Sequence, residues 1–266
     1  MHPVYRMAGC LTVAVGLIMA AGSFDHARGV TAAATSQATS APTQTATTIA
    51  PIAVQFEGVE QHIVPGLYYP TPRLPAPAVL LLHYKEGWSP WAPRWSARGF
   101  NVFAIDLRIW GVEGISVEVA QRDMQDILLV IQQLNDTPGV TPHQVALMGG
   151  SFIGGYALVA CAKSPDCKTA ILFSATDYKA DLQDPIETLG DRPLLIAVSK
   201  NEGSITATDM EYDRRAKGEH RLIVYDGGAH ANGLLNAHPE LVDIVGDWLV
   251  TYLPGKEAAT VTPEPW

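Results

Sequence analysis

The sequence has little charge and few cysteines for its length. Among its 266 residues, 17% are charged, and the formal net charge is −9. No segment is strongly basic, whereas a nucleic-acid-binding protein normally presents a cationic face, so a nucleic-acid partner is disfavoured. Three cysteines exclude a disulfide-rich scaffold. The chain also lacks a glycine-rich phosphate loop of either common type.

Hydrophobic residues, by contrast, are abundant and make up 47% of the chain. That fraction allows the protein to bury a sizeable core. We predict one folded domain over residues 53–254, followed by a disordered tail over residues 255–266.

The first 52 residues differ in composition from the rest. Arg6 is the only charged side chain before Asp25, and an apolar run extends over residues 11–21. This pattern predicts a secretory signal peptide over residues 1–22, with a retained membrane anchor as the alternative. Residues 23–52 are rich in Ala and Thr, which predicts a flexible linker. We therefore expect an exported protein, periplasmic or extracellular, that contacts a membrane only through such an anchor.

Short apolar runs alternate with helical patterns through most of the remaining chain. The predicted strands are Val54–Glu57, Gly66–Tyr69, Ala78–Tyr84, Asn101–Leu107, Gln144–Met148, Thr169–Ser174, Leu194–Ser199 and Arg221–Tyr225. The predicted helices are Val119–Leu134, Phe152–Ala162, Thr206–Lys217 and Glu240–Tyr252. Such alternation indicates an α/β domain with a mostly parallel central sheet of about eight strands and helices on both faces.

One strand-to-helix junction carries a serine among glycines. Gly149, Gly150 and Ser151 lie between an apolar strand and a helical pattern. A serine at such a sharp turn presents its hydroxyl at the carboxyl edge of the sheet, where the N-terminus of the following helix favours negative charge. Ser151 is therefore the candidate nucleophile, and a glycine-rich turn without chemistry is the alternative.

Three segments together resemble the alpha/beta-hydrolase family, in particular its dienelactone-hydrolase-like esterase branch. They are Leu82-His83 after a buried strand, residues 104–108 (Ala-Ile-Asp-Leu-Arg) after the next, and the turn at Ser151. The resemblance covers roughly residues 60–253 and implies the alpha/beta-hydrolase fold and a serine hydrolase. The family turn is usually G-x-S-x-G, and Ile153 stands where the second glycine is expected.

The resemblance also implies a base and an acid beside Ser151, because a serine hydroxyl is a poor nucleophile at neutral pH. His230 lies in a glycine-rich loop after a predicted strand, where the family presents its general base. Glu202 follows the preceding strand in the position of the family's acid, which is Asp in most relatives. Asp177, one strand earlier, is the reserve candidate. Ser151, Glu202 and His230 follow the chain order of this fold.

The same resemblance implies an oxyanion hole made of two backbone N–H groups. Phe152, directly after the nucleophile, and Tyr84, directly after His83, are expected to supply them. Tryptophans near this edge admit two interpretations, an apolar acyl pocket or ordinary packing. They are Trp88, Trp91, Trp95 and Trp110. No metal-site pattern accompanies these residues, and we predict neither a metal nor another cofactor.

Cys161 and Cys167 flank a turn-rich pentapeptide. A disulfide between them would suit an exported protein, and closing so small a loop contributes about 2 kcal/mol. Two buried free thiols in a helix-to-strand connection are the alternative.

The sequence thus predicts an exported serine hydrolase that cleaves a small-molecule carboxylic ester through an acyl-enzyme. Two alternatives remain open at this point. One is a peptidase or a polyester-degrading hydrolase on the same fold. The other is a non-catalytic hydrolase-like binding protein, which the departures at Ile153 and Glu202 favour.

Overall fold

The computed structural model describes three stretches of the chain, which are residues 50–111, 114–177 and 184–254. The predicted signal peptide or anchor (residues 1–22), the predicted linker up to residue 49 and the predicted tail (residues 255–266) lie outside the described residues. Among the described helices, none combines the length and the apolar character that a membrane span requires.

Strands and helices alternate through the described part of the chain. The strands are β1 (Ile52–Glu57), β2 (Ile63–Tyr69), β3 (Ala76–His83), β4 (Asn101–Asp106), β5 (Val140–Gly150), β6 (Cys167–Phe173), β7 (Leu194–Ser199) and β8 (His220–Tyr225). The helices are α1 (Ala92–Ala97), α2 (Val117–Asn135), α3 (Phe152–Lys163), α4 (Pro185–Leu189), α5 (Ser204–Arg215), α6 (Gly233–Ala237) and α7 (Glu240–Tyr252). Helices α1, α4 and α6 are not among the predicted helices above, because five or six residues are too few to display a helical period.

The strands form one sheet in the order β1-β2-β4-β3-β5-β6-β7-β8. Strand β2 pairs antiparallel with β1 and β4, and every other neighbouring pair is parallel. The predicted mostly parallel sheet of about eight strands is therefore confirmed. Parallel strands end at one common edge, so the loops after β3, β5, β6, β7 and β8 all emerge on the same side of the molecule.

Both faces of the sheet are covered, as strand β3 illustrates. Leu80 and Leu82 pack into a core cluster with α2 and α3, whereas Val79 and Leu81 pack into a second cluster with α1 and α7. All four side chains are fully buried. The continuous apolar run in the sequence thus reflects a strand that has no solvent-facing side.

Helix α2 begins and ends where local signals place its termini. The Ser116 side chain accepts a hydrogen bond from the Val119 amide at 3.1 Å, which caps the first turn. Ile127, Ile131 and Leu134 are fully buried and recur at helical spacing along the face that packs on the sheet. The helix ends at Asn135, three residues before Pro138.

A disulfide joins Cys161, near the end of α3, to Cys167, the first residue of β6. Both residues are fully buried. The guanidinium of Arg192 donates to the carbonyl oxygens of Ala162 at 2.8 Å and Ser164 at 2.9 Å, within the same connection. This end of α3 is therefore fixed by one covalent bond and by hydrogen bonds to the carbonyl groups at its C-terminus.

Candidate active site

The turn between β5 and α3 holds Ser151 in a strained backbone conformation. Its φ is 57° and its ψ is −139°, a region that residues with a side chain rarely adopt. The Ser151 amide donates to the Phe173 carbonyl oxygen at 2.8 Å, and the Ser151 carbonyl oxygen accepts from the Gly154 amide at 2.9 Å. These bonds hold the serine at the carboxyl edge of the sheet, directly before a helix N-terminus.

Ile153 does not push helix α3 away from the strand. A Cβ on Gly149 would lie 2.6 Å from the Ile153 carbonyl oxygen, so strand and helix approach as closely as glycine permits. The Ile153 side chain is fully buried in the core. A Cβ on Gly154 would lie 2.8 Å from the Ala175 Cβ. The contact that requires a second glycine therefore falls one residue later than in the usual motif.

His230 lies between the other two predicted side chains, in the loop from β8 to α6. Its Nε2 is 2.9 Å from the Ser151 Oγ, and its Nδ1 is 2.5 Å from the Glu202 Oε1. The His230 side chain is 45% exposed, whereas the Glu202 side chain is only 5% exposed. The imidazole can therefore meet both a solvent molecule and a buried carboxylate.

Glu202 receives a different partner on each carboxylate oxygen. While Oε1 faces His230, Oε2 accepts from the Ser199 amide at 2.8 Å and from the Ser174 hydroxyl at 2.7 Å. Two donors on one oxygen fix the orientation of the carboxylate. The additional methylene of Glu relative to Asp is accommodated by this arrangement.

Ser174 was not identified from the sequence. It follows β6, is fully buried and has a φ of 49°. Its hydroxyl donates to Glu202 and accepts from the Ala231 amide at 3.1 Å. Ser174 thus connects the loop that carries Glu202 to the loop that carries His230. Its only signal in the sequence is a hydroxyl at the end of a buried strand, which many strands share.

Two aspartates near this region, Asp177 and Asp209, form hydrogen bonds with groups other than His230. Asp177, the reserve candidate for the acid, accepts from the Tyr212 hydroxyl at 2.6 Å. Asp209 of α5 is fully buried, and its Oδ2 accepts from the Ala175 amide at 3.0 Å. Burial, reinforced by the nearby negative charge of Glu202, raises the pKa of Asp209 to about 8. The hydrogen bond from Ala175 joins the turn after β6 to α5.

The two amides predicted for an oxyanion hole belong to Tyr84, directly after β3, and to Phe152, in the turn after β5. Phe152 is the first residue of α3, so its amide has no acceptor within the helix. Among the described residues, the Tyr84 amide makes no backbone hydrogen bond. The next amide along, that of Lys85, donates to the Asp106 Oδ1 at 2.7 Å. This bond orients the loop that contains Tyr84.

The side chain of Lys85 forms ion pairs with two carboxylates. Its Nζ lies 2.5 Å from the Asp106 Oδ2 and 3.0 Å from the Glu86 Oε1. The hydrogen bond to Asp106 raises the pKa of Lys85 above its ordinary value. Both the amide and the side chain of Lys85 thus anchor the loop after β3 to the end of β4.

The tryptophans divide into two groups. Trp88, Trp91 and Trp95 are buried in the core cluster shared with α7, which agrees with the packing interpretation. Trp110 is 41% exposed, and its ring centroid lies 4.9 Å from that of His83 and 5.6 Å from that of Phe152. Only Trp110 of these four is positioned beside the candidate site.

Burial disfavours the charged form of the His83 imidazole. Its Nδ1 is buried and has no hydrogen-bond partner among the described residues. Burial, followed by the positive charge of protonated His230, lowers the pKa of His83 below its ordinary value.

No group of three His, Cys, Asp or Glu side chains within residues 50–111, 114–177 and 184–254 is arranged to hold a metal ion.

Known proteins resemble this chain in fold and not in detectable sequence. No family model and no curated protein matches the sequence. A dienelactone hydrolase from Anabaena variabilis superposes with a TM-score of 0.65 at 18% identity, over 77% of this chain and 98% of that one. An alpha/beta hydrolase from a Penicillium species gives 0.66 at 13% identity, over 77% and 99%. An esterase from Pyrococcus furiosus gives 0.60 at 15% identity, over 77% and 91%. The described domain therefore has the alpha/beta-hydrolase fold.

Proposed function

We propose that this protein is a serine hydrolase that cleaves carboxylic esters through Ser151, His230 and Glu202. The observation that carries the proposal is the chain of short contacts from the Ser151 Oγ through the His230 ring to the Glu202 carboxylate, 2.9 Å and 2.5 Å long. A nucleophile in contact with a base, which is itself oriented by an acid, is the signature of nucleophilic acyl transfer. The hydrolases that share its fold support the same reaction class.

Acylation follows from these contacts. His230 Nε2 takes the hydroxyl proton while the Ser151 Oγ forms a bond to the ester carbonyl carbon, whose oxygen becomes an oxyanion. The amides of Phe152 and Tyr84 donate to this oxygen. Collapse of the tetrahedral intermediate breaks the bond to the leaving oxygen, which receives the proton from His230 and departs as the alcohol.

Deacylation repeats the sequence with water as the nucleophile. His230 takes a proton from the water, the resulting hydroxide adds to the acyl carbon, and the bond to the Ser151 Oγ breaks. The serine oxygen recovers its proton from His230, and the carboxylic acid leaves. Throughout both steps Glu202 holds the ring with Nδ1–H toward the carboxylate and stabilises the imidazolium that forms. The cycle uses no cofactor.

A fluorophosphonate probe tests the proposal, because such probes label an activated serine hydroxyl. We expect the wild-type protein to be labelled and Ser151→Ala to be inert, with turnover of a nitrophenyl ester lower by about 10⁶-fold. Absence of labelling in the wild type, or equal labelling of the variant, would favour a non-catalytic binding protein. Parallel assays with nitrophenyl esters and nitroanilides distinguish an esterase from a peptidase.

We also propose that the protein acts outside the cytoplasm. The Cys161–Cys167 disulfide supports this, since such bonds persist mainly in oxidising compartments. The apolar run over residues 11–21 supplies the export signal. Mass spectrometry of the N-terminus after expression and cell fractionation tests the idea, and intact full-length protein in the cytoplasmic fraction would contradict it.

A further inference from the structure

An apolar cleft of about 300 Å³ opens beside Tyr84 and Trp110. Ile63, Pro65, Leu107 and Gly111 also line the cleft, as do the polar residues His62, Asp106 and Arg108. Ile63, Tyr84 and Trp110 are 48%, 48% and 41% exposed, respectively. Large apolar side chains that face solvent around one concave surface are characteristic of a binding site.

The charged groups that border the cleft are already engaged with partners. Asp106 accepts from both the amide and the Nζ of Lys85, and the Arg108 Nε lies 2.7 Å from the Asp126 Oδ2. Arg108 and Asp126 are almost fully buried, with side chains 5% and 1% exposed. The His62 Nε2 lies 3.9 Å from the Asp126 Oδ2 as well. Recognition in this cleft therefore depends on the apolar walls, which favour an uncharged group.

The sheet topology determines which part of an ester can reach the cleft. The loops after β7 and β8 carry Glu202 and His230 on one side of β5, whereas β2 and β4 border the cleft on the other side. The leaving alcohol must face His230 to receive its proton. The carbonyl oxygen must face the amides of Phe152 and Tyr84. The acyl substituent is then directed away from His230, toward Trp110.

We infer that this cleft binds the acyl group of the substrate and selects short, uncharged acyl chains, with Trp110 as a specificity-determining residue. The inference rests on the serine hydrolase function proposed above. A volume near the lower end of the range for ligand pockets suits an acyl group of butyryl to benzoyl size. We expect an acetyl group to make fewer contacts with the walls than a butyryl group does, and a long acyl chain to extend beyond them.

The test measures kcat/KM of the full-length protein for nitrophenyl esters that share one leaving group and differ in the acyl group. In the wild type, we expect kcat/KM to be higher for the butyrate and benzoate esters than for the acetate ester. It should also be higher than for the hemisuccinate ester, which is of similar size but carries a negative charge. Trp110→Ala removes one wall, and Ile63→Trp fills the cleft. Each variant lowers the ratio of butyrate to acetate kcat/KM by about tenfold.

Ile52→Trp is the matched control, because Ile52 is 51% exposed at the opposite end of the β1–β2 hairpin from Ile63. We expect Ile52→Trp to keep the wild-type ratio of butyrate to acetate kcat/KM. Ratios within twofold of the wild type for both cleft variants would overturn the inference, as would a wild-type preference for the hemisuccinate ester. Fluorophosphonate labelling separates the two failures. If Ser151 still labels, only the acyl assignment is wrong, and if the wild type does not label, the proposed function and this inference fall together.

Discussion

The hydroxyl of Ser174 donates to the Glu202 Oε2 at 2.7 Å while it accepts from the amide of Ala231, the residue after His230. One buried side chain therefore links the loop that carries Glu202 to the loop that carries His230. Ser174 is joined in turn to β7, because its amide donates to the Ala197 carbonyl oxygen at 2.8 Å. The contact between Glu202 and His230 therefore depends on a residue that is fully buried.

Replacing Ser174 by Ala should impair turnover more than substrate binding. The variant loses one of the two donors on the Glu202 Oε2 and leaves the Ala231 amide buried without its acceptor. We expect kcat to fall about 10- to 100-fold with little change in KM, since a hydrogen bond to a charged group is worth roughly 1.5–3 kcal/mol. Steady-state kinetics with a nitrophenyl ester measure both constants.

Circular dichroism distinguishes a positioning effect from a loss of folded protein. We expect Ser174→Ala to keep the wild-type spectrum while its kcat falls and its KM changes little. Ser164→Ala is the matched control, because Ser164 is also buried but lies at the far end of α3. An unchanged kcat in a folded Ser174→Ala would contradict the positioning role.

The loss of kcat in Glu202 variants should depend on the charge and the length of the new side chain. Glu202→Gln keeps the shape but cannot stabilise the imidazolium, and we expect kcat to fall by about 10³- to 10⁴-fold. Glu202→Asp keeps the charge but shortens the side chain by one methylene, so a loss of about 10²-fold is expected. The kcat values of purified variants test this order.

Asp177→Asn serves as the control for the acid. Asp177 accepts from Tyr212 and makes no contact with His230 among the described residues. We expect its kcat to stay within about threefold of the wild type, consistent with a surface-like substitution. A larger loss in Asp177→Asn than in Glu202→Gln would exchange the roles of the two carboxylates.

The buried carboxyl of Asp209 should make the protein less stable as pH rises. Its pKa is raised from the ordinary value of 3.8 to about 8 by burial. The stability that this group contributes is therefore fully present below pH 3.8 and is lost as pH rises through about 8. Within this window the free energy of unfolding falls by up to about 1.4 kcal/mol per pH unit.

Asp209→Asn cannot ionise and should remove that pH dependence. Urea unfolding at several pH values between 5 and 9 should show the variant gaining stability relative to the wild type as pH rises. Any constant cost of burying an amide appears equally at every pH and does not affect this slope. Parallel stability curves for the two proteins would show that Asp209 is ionised throughout the range.

Loss of the disulfide should affect stability and leave catalysis intact. Cys161 and Cys167 lie at the far end of α3 from Ser151, and a helix of 12 residues is about 18 Å long. Replacing both cysteines by Ala should lower the free energy of unfolding by about 2 kcal/mol, which corresponds to a fall in Tm of roughly 4–8 °C. The value of kcat/KM should stay within twofold. A Tm equal to that of the wild type would contradict this expectation.

Much of the sheet could be predicted because its signal is local. The run from Val79 to Leu82 indicates a strand buried on both faces without reference to any other part of the chain. Strand β5 was predicted to begin at residue 144 but begins at Val140. Pro142 and His143 interrupt its apolar pattern, and the ladder with β3 shifts register in the same region.

The supporting residues of the site could not be predicted in the same way. Ser151 and His230 are marked by glycine-rich turns after strands, so their positions can be read from the neighbouring residues. Ser174 and Asp209 have no such marker, because their importance arises from contacts with residues 28 and 34 positions away in the chain. Only the folded sheet brings those partners together.

The spacing of the site along the chain has a consequence for folding. Ser151 and His230 are 79 residues apart, and the strands that carry them are separated in the sheet by β6 and β7. Their contact cannot form until four neighbouring parallel strands have paired, and such non-local pairings are the slow steps of folding. Formation of the contact between Ser151 and His230 during refolding therefore reports completion of this half of the sheet, and not the earlier collapse of the chain.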